Sequence, residues 1–178
     1  MKVIIIRHGK VDYTWSRWCS SGEFDKECKE YDAAAIKPVA KQSFDEKYHA
    51  IFVSELVRSQ ETAKGMFPGA GLRITPLLNE VPLRASLDTE RRLPLWFWNI
   101  SGRLQWFMGS GRQEESRRQT QERARIFVEQ LCKEGTDNVV VTHGFFMHEL
   151  LSVLKKAGFR TGRAHAYYKN EECIIAER

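Results

Sequence analysis

Cysteine pairs, long apolar runs and clustered charge are all scarce in this chain, and each scarcity excludes a class of protein. The 178 residues include four cysteines, none in a Cys-x-x-Cys pair, so neither a zinc-finger-type site nor a disulfide scaffold is expected. The most apolar stretch, residues 93–109, is interrupted by Arg103 and falls short of the roughly 18 apolar residues of a membrane span. The apolar run at residues 3–6 is shorter than the ~7–15 residues of an export signal. We therefore expect a cytoplasmic protein with free thiols and no membrane partner.

The positive charge is spread along the chain rather than gathered in one block. The net charge is +5 and the isoelectric point about 9.1, which suits nucleic acid, an anionic membrane surface or small anionic substrates. The basic residues form only short clusters, without a basic stripe or regular aromatic spacing. This scatter predicts no nucleic-acid partner and leaves an anionic small substrate as the expectation.

Apolar periodicity predicts strands that alternate with helices along one domain, residues 1–178. Four short apolar runs predict strands, at residues 3–6, 50–53, 72–75 and 139–142. Helical patterns follow at residues 56–67, 112–134 and 145–158, and residues 164–177 predict a hairpin. This order predicts an α/β three-layer sandwich with a mainly parallel central sheet and helices on both faces. Two segments break the pattern and are expected to be irregular, residues 11–44 and 84–111.

Residues suited to phosphate chemistry follow the predicted strands. Arg7 and His8 end the first strand, Arg58 follows the second, and His143 follows the last. The carboxyl ends of parallel strands meet at one edge, where open α/β sheets bind ligands and helix N-termini favour anions. Arginine matches phosphate oxygens, a neutral imidazole can attack phosphorus, and a second imidazole can donate hydrogen bonds to the equatorial oxygens. Glu80, after the third strand, can protonate the leaving oxygen.

Four motifs in this order resemble the histidine phosphatase superfamily, whose founding branch is the cofactor-dependent phosphoglycerate mutases. They are RHG at residues 7–9, SELVRSQETA at 54–63, LNE at 78–80 and VVVTHG at 139–144. The resemblance implies a phosphoglycerate mutase-like fold, with His8 as the phosphorylated nucleophile. Arg7, Arg58 and His143 would form the phosphate pocket, and Glu80 would be the proton donor and later the base. It also implies that neither a metal nor a cofactor is needed.

The chain departs from the family pattern in ways that argue against a mutase. Members commonly read RHGE or RHGQ followed by Thr, with an Asn six residues after the histidine; here RHGKVDYT places Lys10, Val11 and Thr14 there. Thr14 is the candidate for a remaining contact with a phosphate oxygen. The Gly-rich stretch that follows LNE in the mutases is replaced by VPLRASL.

Residues 84–111 lie where the family inserts a cap over the site, and we call them the cap segment. Trp96, Trp98 and Trp106 are its three tryptophans, and the position predicts that they close over the substrate. The alternative is that these rings pack on the sheet. Four arginines are candidates for binding a second anionic group: Arg84, Arg91, Arg92 and Arg103.

The sequence thus predicts a metal-independent phosphomonoesterase that acts through phospho-His8 on a small phosphorylated metabolite. Two alternatives stay open, a phosphoprotein phosphatase and a non-catalytic phosphate-binding module. The remaining histidines, His49, His148 and His165, are expected to be structural. Nothing in the pattern indicates an oligomeric state.

Overall fold

The computed structural model describes residues 1–42, 48–162 and 167–178. The strands are β1 (Lys2–Arg7), β2 (Trp18–Cys19), β3 (Ala50–Val53), β4 (Leu72–Ile74), β5 (Leu93–Pro94), β6 (Asn138–Thr142), β7 (Arg160–Thr161) and β8 (Cys173–Glu177). The helices are α1 (Ser21–Ala33), α2 (Val57–Met66), α3 (Leu95–Met108), α4 (Arg117–Glu134) and α5 (Gly144–Lys156), with a 3-10 turn at Pro76–Leu78. His165, the end of segment 11–44 and part of the predicted hairpin lie outside the described residues.

A six-stranded sheet with the order β4-β3-β6-β1-β8-β7 forms the centre of the fold. The first four strands of that order run parallel, and β8 and β7 are antiparallel to their neighbours. The mainly parallel sheet is therefore confirmed. The parallel alignment brings the carboxyl ends of β1, β3 and β6 to one edge, which is where the candidate site lies.

Alternating side chains of β1 face two separate cores. Val3 and Ile5 pack with apolar side chains of α4 and α5 on one face, and Ile4 and Ile6 pack with α2 on the other. Successive side chains of a strand point to opposite faces, so an unbroken apolar run is required when both faces are covered. The predicted helix–sheet–helix sandwich is confirmed.

The two segments expected to be irregular each contain a helix. In the first, Ser20 caps the N-terminus of α1: its hydroxyl accepts from Glu23 N while the Glu23 carboxylate accepts from Ser20 N. This capping box is a local signal for a helix start. In the cap segment, α3 carries large apolar side chains on two opposite sides, which hides the helical period that an amphipathic surface helix shows.

The C-terminal tail differs in part from the predicted hairpin. β8 is present, but Tyr167 and Tyr168, the described part of the predicted first strand, are not in a strand. β8 instead pairs with β7, earlier in the chain, at the sheet edge. No helix in the described ranges combines the length and apolar character needed to cross a bilayer.

Candidate active site

A cleft of about 1070 Å³ opens at the carboxyl edge of the sheet. Arg7, His8, Arg58 and Glu80 all line it. Sequence separation hides this proximity: β1 delivers the first two, α2 the third and the loop after the 3-10 turn the fourth. Four of the five residues predicted to carry the chemistry thus line one cleft.

His8 has one ring nitrogen committed to the backbone and one available. Its Nδ1 lies 2.7 Å from the Gly9 carbonyl oxygen. Because a carbonyl only accepts, Nδ1 carries the proton, and the lone pair is on Nε2. The loop is held in place by Thr62, whose hydroxyl accepts from Gly9 N at 2.7 Å, and by Asn170, which donates to the His8 carbonyl at 2.9 Å. The ring is therefore preorganised as a neutral base or nucleophile.

The surroundings of His8 keep the ring uncharged. Burial, followed by the nearby Arg58 charge, lowers the pKa of His8 from its usual 6.5 to about 3. Removing an imidazolium from water disfavours the charged form, and a neighbouring cation adds to this effect. A nucleophilic histidine needs its lone pair, so this environment suits covalent catalysis.

Arg58 is 1% exposed and is held on three sides. Its Nη1 donates to Asp32 Oδ1 at 2.7 Å, its Nε donates to His143 Nδ1 at 3.2 Å, and its guanidinium lies 5.1 Å from the centre of the Tyr31 ring. Asp32 and Tyr31 belong to α1, so sequence reasoning missed both. The capping box of Ser20 and Glu23 was the signal that could have found their helix.

His143 lies beside His8, with ring centres 5.0 Å apart, but it is fully buried and does not line the cleft. Because the Arg58 guanidinium can only donate, His143 Nδ1 accepts, and Nε2 carries the proton. Nε2 lies 2.7 Å from Ser54 Oγ, so both ring nitrogens are engaged. Burial, followed by the Arg58 charge, holds the pKa of His143 well below its usual range. Its ring nitrogens thus contact Arg58 and Ser54 rather than the cleft.

Arg7 presents one donor that has no partner among the described residues. Its Nη1 donates to the Tyr168 carbonyl and its guanidinium lies 5.0 Å from the centre of the Tyr167 ring, whereas its buried Nε makes no hydrogen bond. A buried, unpaired donor costs about 1–3 kcal/mol. Arg7 lines the cleft, so an anionic oxygen bound there would offer the guanidinium an acceptor.

Glu80 lies at the N-terminus of α5. Its carboxylate accepts from Phe146 N at 2.9 Å, Phe145 N at 3.3 Å and Val81 N at 2.9 Å. The first amides of a helix have no partner within the helix, and the helix dipole favours negative charge there. These contacts fix the orientation of Glu80 in the wall of the cleft.

The structure does not bring Thr14 to the cleft. Thr14 is exposed and is not among the residues lining the cleft. Its neighbours explain the position, because Val11 pairs with Ile36 and the Tyr13 hydroxyl donates to Glu30 of α1. Thr14 is therefore not placed to contact a phosphate group in the cleft.

The three cap-segment tryptophans also lie away from the cleft. Trp98 is fully buried against Phe24 and donates from Nε1 to the Cys19 carbonyl, and Trp106 is buried and donates to Thr120 Oγ1. Trp96 points outward and is 63% exposed. The alternative of core packing describes Trp98 and Trp106. The cap segment reaches the cleft through other residues, Arg84, Leu95, Asn99 and Arg103.

The arginines of the cleft differ in their partners. Arg84 pairs with Asp25 and Arg123 pairs with Glu115. Arg103 instead donates to the Val81 carbonyl and lies 3.8 Å from the centre of the Phe145 ring, and no described carboxylate lies within ion-pair distance of it. Arg91 and Arg92, also candidates for a second anion site, do not line the cleft.

Among the described residues, no cluster of histidine, cysteine and acidic side chains suits a metal ion.

Solved structures with the same fold include several enzymes. A mycobacterial glucosyl-3-phosphoglycerate phosphatase is 20% identical, with 87% of this chain and 79% of that one covered and a TM-score of 0.55. A phosphoserine phosphatase from Entamoeba histolytica, bound to 3-phosphoglyceric acid, is 15% identical, with coverage of 98% and 89% and a TM-score of 0.54. A protein described as mycobacterial hydrolase 2 is 18% identical, with coverage of 98% and 80% and a TM-score of 0.59. No curated protein matches the chain.

These distant structural likenesses show the fold alone, whereas a family model shows which family the chain belongs to. The model of the histidine phosphatase superfamily (branch 1) matches residues 3–177. The match spans nearly the whole chain, including all four motifs and the cleft that they form. The sequence resemblance and the predicted enzyme class are confirmed: the chain belongs to branch 1 of the histidine phosphatase superfamily.

Proposed function

We propose that this protein is a metal-independent phosphomonoesterase that transfers the phosphate to His8 Nε2 and then to water. The observation that carries the proposal is the state of His8: a neutral ring whose Nδ1 is tied to the Gly9 carbonyl, in a cleft lined by Arg7 and Arg58. This arrangement presents a nucleophilic lone pair next to two cationic groups that match phosphate oxygens.

In the first step, the His8 Nε2 lone pair attacks phosphorus and the ester P–O bond breaks. The Glu80 carboxyl group gives its proton to the leaving oxygen, which departs as an alcohol, and Glu80 becomes a carboxylate. Arg7 and Arg58 stabilise the charge on the equatorial oxygens. His143 supports this step through its hydrogen bond with Arg58 Nε.

In the second step, water attacks the phosphohistidine. The Glu80 carboxylate takes a proton from that water, the N–P bond breaks, and inorganic phosphate leaves with neutral His8 restored. The three backbone amides around Glu80 hold its carboxylate in one orientation for both proton transfers. No other proton carrier is required to close the cycle.

We further propose a small phosphorylated metabolite with a second anionic group as the substrate. Arg103 supports this class, because its guanidinium lines the cleft and no described carboxylate lies within ion-pair distance of it. Its pKa is lowered by burial, and such a desolvated cation gains from an anionic partner. The four free thiols suit a reducing compartment, which supports the cytoplasm as the location.

The phosphohistidine is tested by rapid quench with 32P-labelled p-nitrophenyl phosphate in EDTA. We expect a label on the wild-type chain that is lost in acid and stable in base, and none on His8→Ala. Exposed His49 provides a matched control, and His49→Ala should label and turn over like wild type. Turnover by His8→Ala would refute the mechanism. Phosphate binding without turnover in the wild type would instead identify a binding module.

The second anionic group is tested with two substrates, 3-phosphoglycerate and p-nitrophenyl phosphate. Arg103→Gln should lower kcat/KM for the first by about tenfold or more, mainly through KM, since a charge-assisted contact is worth about 1.5–3 kcal/mol. The effect on p-nitrophenyl phosphate should be small. Arg118→Gln, at an exposed position of α4, is the control. An equal loss on both substrates would contradict the anion site, and activity on phosphopeptides alone would favour the phosphoprotein alternative.

A further inference from the structure

The outward side of α3 carries a continuous stripe of large apolar side chains. Five of them are between half and two-thirds exposed: Trp96 63%, Ile100 63%, Leu104 54%, Phe107 59% and Met108 65%. Their spacing of i, i+4, i+8, i+11 and i+12 places them on one face of a helix. We call these five side chains the outer face of α3.

The opposite side of the same helix already provides its attachment to the fold. Trp98, Gly102 and Trp106 are buried, and they are spaced at i, i+4 and i+8 about half a turn away from the outer face. Core packing therefore does not account for the outer face. Monomeric proteins rarely expose an apolar patch of this extent, and such patches mark interaction sites.

The sequence of α3 and its immediate flanks carries basic residues and no acidic ones. The sequence contains no acidic residue from Arg91 to Gln113. Arg91 is exposed, and Arg17 is exposed next to the start of the helix, where its carbonyl accepts from Leu95 N. At the other end, the Arg117 guanidinium lies 4.9 Å from the centre of the Phe107 ring and is paired with Glu149, so among the described residues the unpaired arginines of this border are Arg17 and Arg91. An apolar helix face bordered by arginines is the pattern of helices that lie on anionic bilayers.

We propose that the outer face of α3 docks on an anionic lipid bilayer, with the helix lying in the plane of the interface. Tryptophan and phenylalanine side chains suit the headgroup region, and the bordering arginines suit anionic headgroups. The apolar run was too short for a membrane span, but an interfacial helix has no such length requirement. The proposal departs from the expectation, drawn from the sequence, that the chain has no membrane partner.

Charge complementarity favours the bilayer over a second copy of this chain. A two-fold dimer through α3 would bring the same surface together from both copies. Arg17 and Arg91 have no described carboxylate within ion-pair distance, so a second copy would add further unpaired positive charge to the rim of such an interface, which is unfavourable. An anionic bilayer offers the opposite charge to the same border.

The cleft lies next to this face, because α3 also contributes Leu95, Asn99 and Arg103 to the cleft wall. Asn99 and Arg103 lie between the buried side and the outer face of the helix. Docking would therefore bring the mouth of the cleft close to the lipid surface. The proposal does not depend on turnover, since it is read from binding alone.

The test is sedimentation of the intact protein with vesicles at low ionic strength. We expect binding to vesicles of phosphatidylcholine and phosphatidylglycerol in equal parts, and little binding to phosphatidylcholine alone. The double variant Ile100→Ser, Leu104→Ser should bind at least about tenfold less, because buried apolar area drives interfacial binding. Ile126→Ser is the matched control, since Ile126 is also an exposed isoleucine on a helix, and it should bind like wild type.

Each other outcome would overturn the proposal. Equal binding by the double variant would show that scattered basic charge, rather than the outer face, attracts the vesicles. Equal binding to both vesicle types would remove the role of anionic lipid. Absence of binding, with a dimer in light scattering that the double variant dissociates, would identify a second copy as the occupant. Absence of binding by a monomer would leave the outer face without this role.

Discussion

At the scale of single residues, the site depends on close packing between groups distant in sequence. Gly144, the first residue of α5, illustrates this. A Cβ at that position would lie 2.8 Å from Arg7 Nε and 3.1 Å from Arg7 Cζ. The absence of a side chain at Gly144 is what allows the guanidinium to reach the cleft.

We therefore expect Gly144→Ala to impair activity with little loss of stability. The added methyl group must displace the Arg7 head group, which lies at the end of a flexible side chain, while alanine suits a helix better than glycine. Misplacement of a positioning cation should lower kcat/KM by about tenfold or more. Gly22→Ala is the control, because nothing lies within 4 Å of its added Cβ. A normal kcat/KM in Gly144→Ala, measured with p-nitrophenyl phosphate, would argue against a role for Arg7.

At the scale of elements, α3 has three sides that lie in three different environments. One side is buried in the fold, one side lines the cleft, and the outer face is exposed. Trp98 and Trp96 are two residues apart in sequence but belong to different sides. The sequence pattern does not distinguish these two tryptophans, whereas buried Trp98 should contribute much more to the free energy of unfolding than exposed Trp96.

Alanine substitution at these two positions should separate the roles. Trp98→Ala removes a fully buried ring stacked near Phe24 and a hydrogen bond to the Cys19 carbonyl, and should lower the free energy of unfolding by about 3–5 kcal/mol. Trp96→Ala should change it by no more than about 0.5 kcal/mol. Urea unfolding measures both. Similar losses in the two variants would mean that the helix is oriented differently.

At the scale of the whole molecule, burying two uncharged histidines makes the stability depend on pH. The pKa of His8 is lowered to about 3 in the folded protein from a usual value of 6.5, and that of His143 is lowered as well. The unfolded chain therefore binds more protons below pH 6.5. The contribution of these uncharged histidines to the free energy of unfolding is fully present above pH 6.5 and is lost as the pH falls from 6.5 towards 3.

Between pH 7.5 and 5.5, His8 alone should account for about 1.4 kcal/mol of this loss. Urea unfolding at the two pH values should therefore show a smaller difference for His8→Ala than for wild type, by about that amount. Leu154→Ala, which removes buried volume but no titrating group, should keep the wild-type difference. If His8→Ala kept it too, His8 would have to be charged in the folded state.

The sequence by itself determined five of the six strands of the central sheet and four of the residues that line the cleft. Unbroken apolar runs such as Ile4–Ile5–Ile6 suit only strands covered on both faces, and parallel strands bring their carboxyl ends together. Arg7, His8, Arg58 and Glu80 follow those strands or the helices after them, so their meeting could be predicted from local pattern alone.

Only the tertiary structure decided how each side chain is used. It buried His143 behind the cleft, turned Thr14 outward, added Asp32 and Tyr31 from α1, and exposed Trp96 while burying Trp98. These outcomes depend on the packing of elements far apart in the chain. Local periodicity carries no information about such contacts, since the same apolar or polar residue type suits a core, a cleft wall or an exposed face.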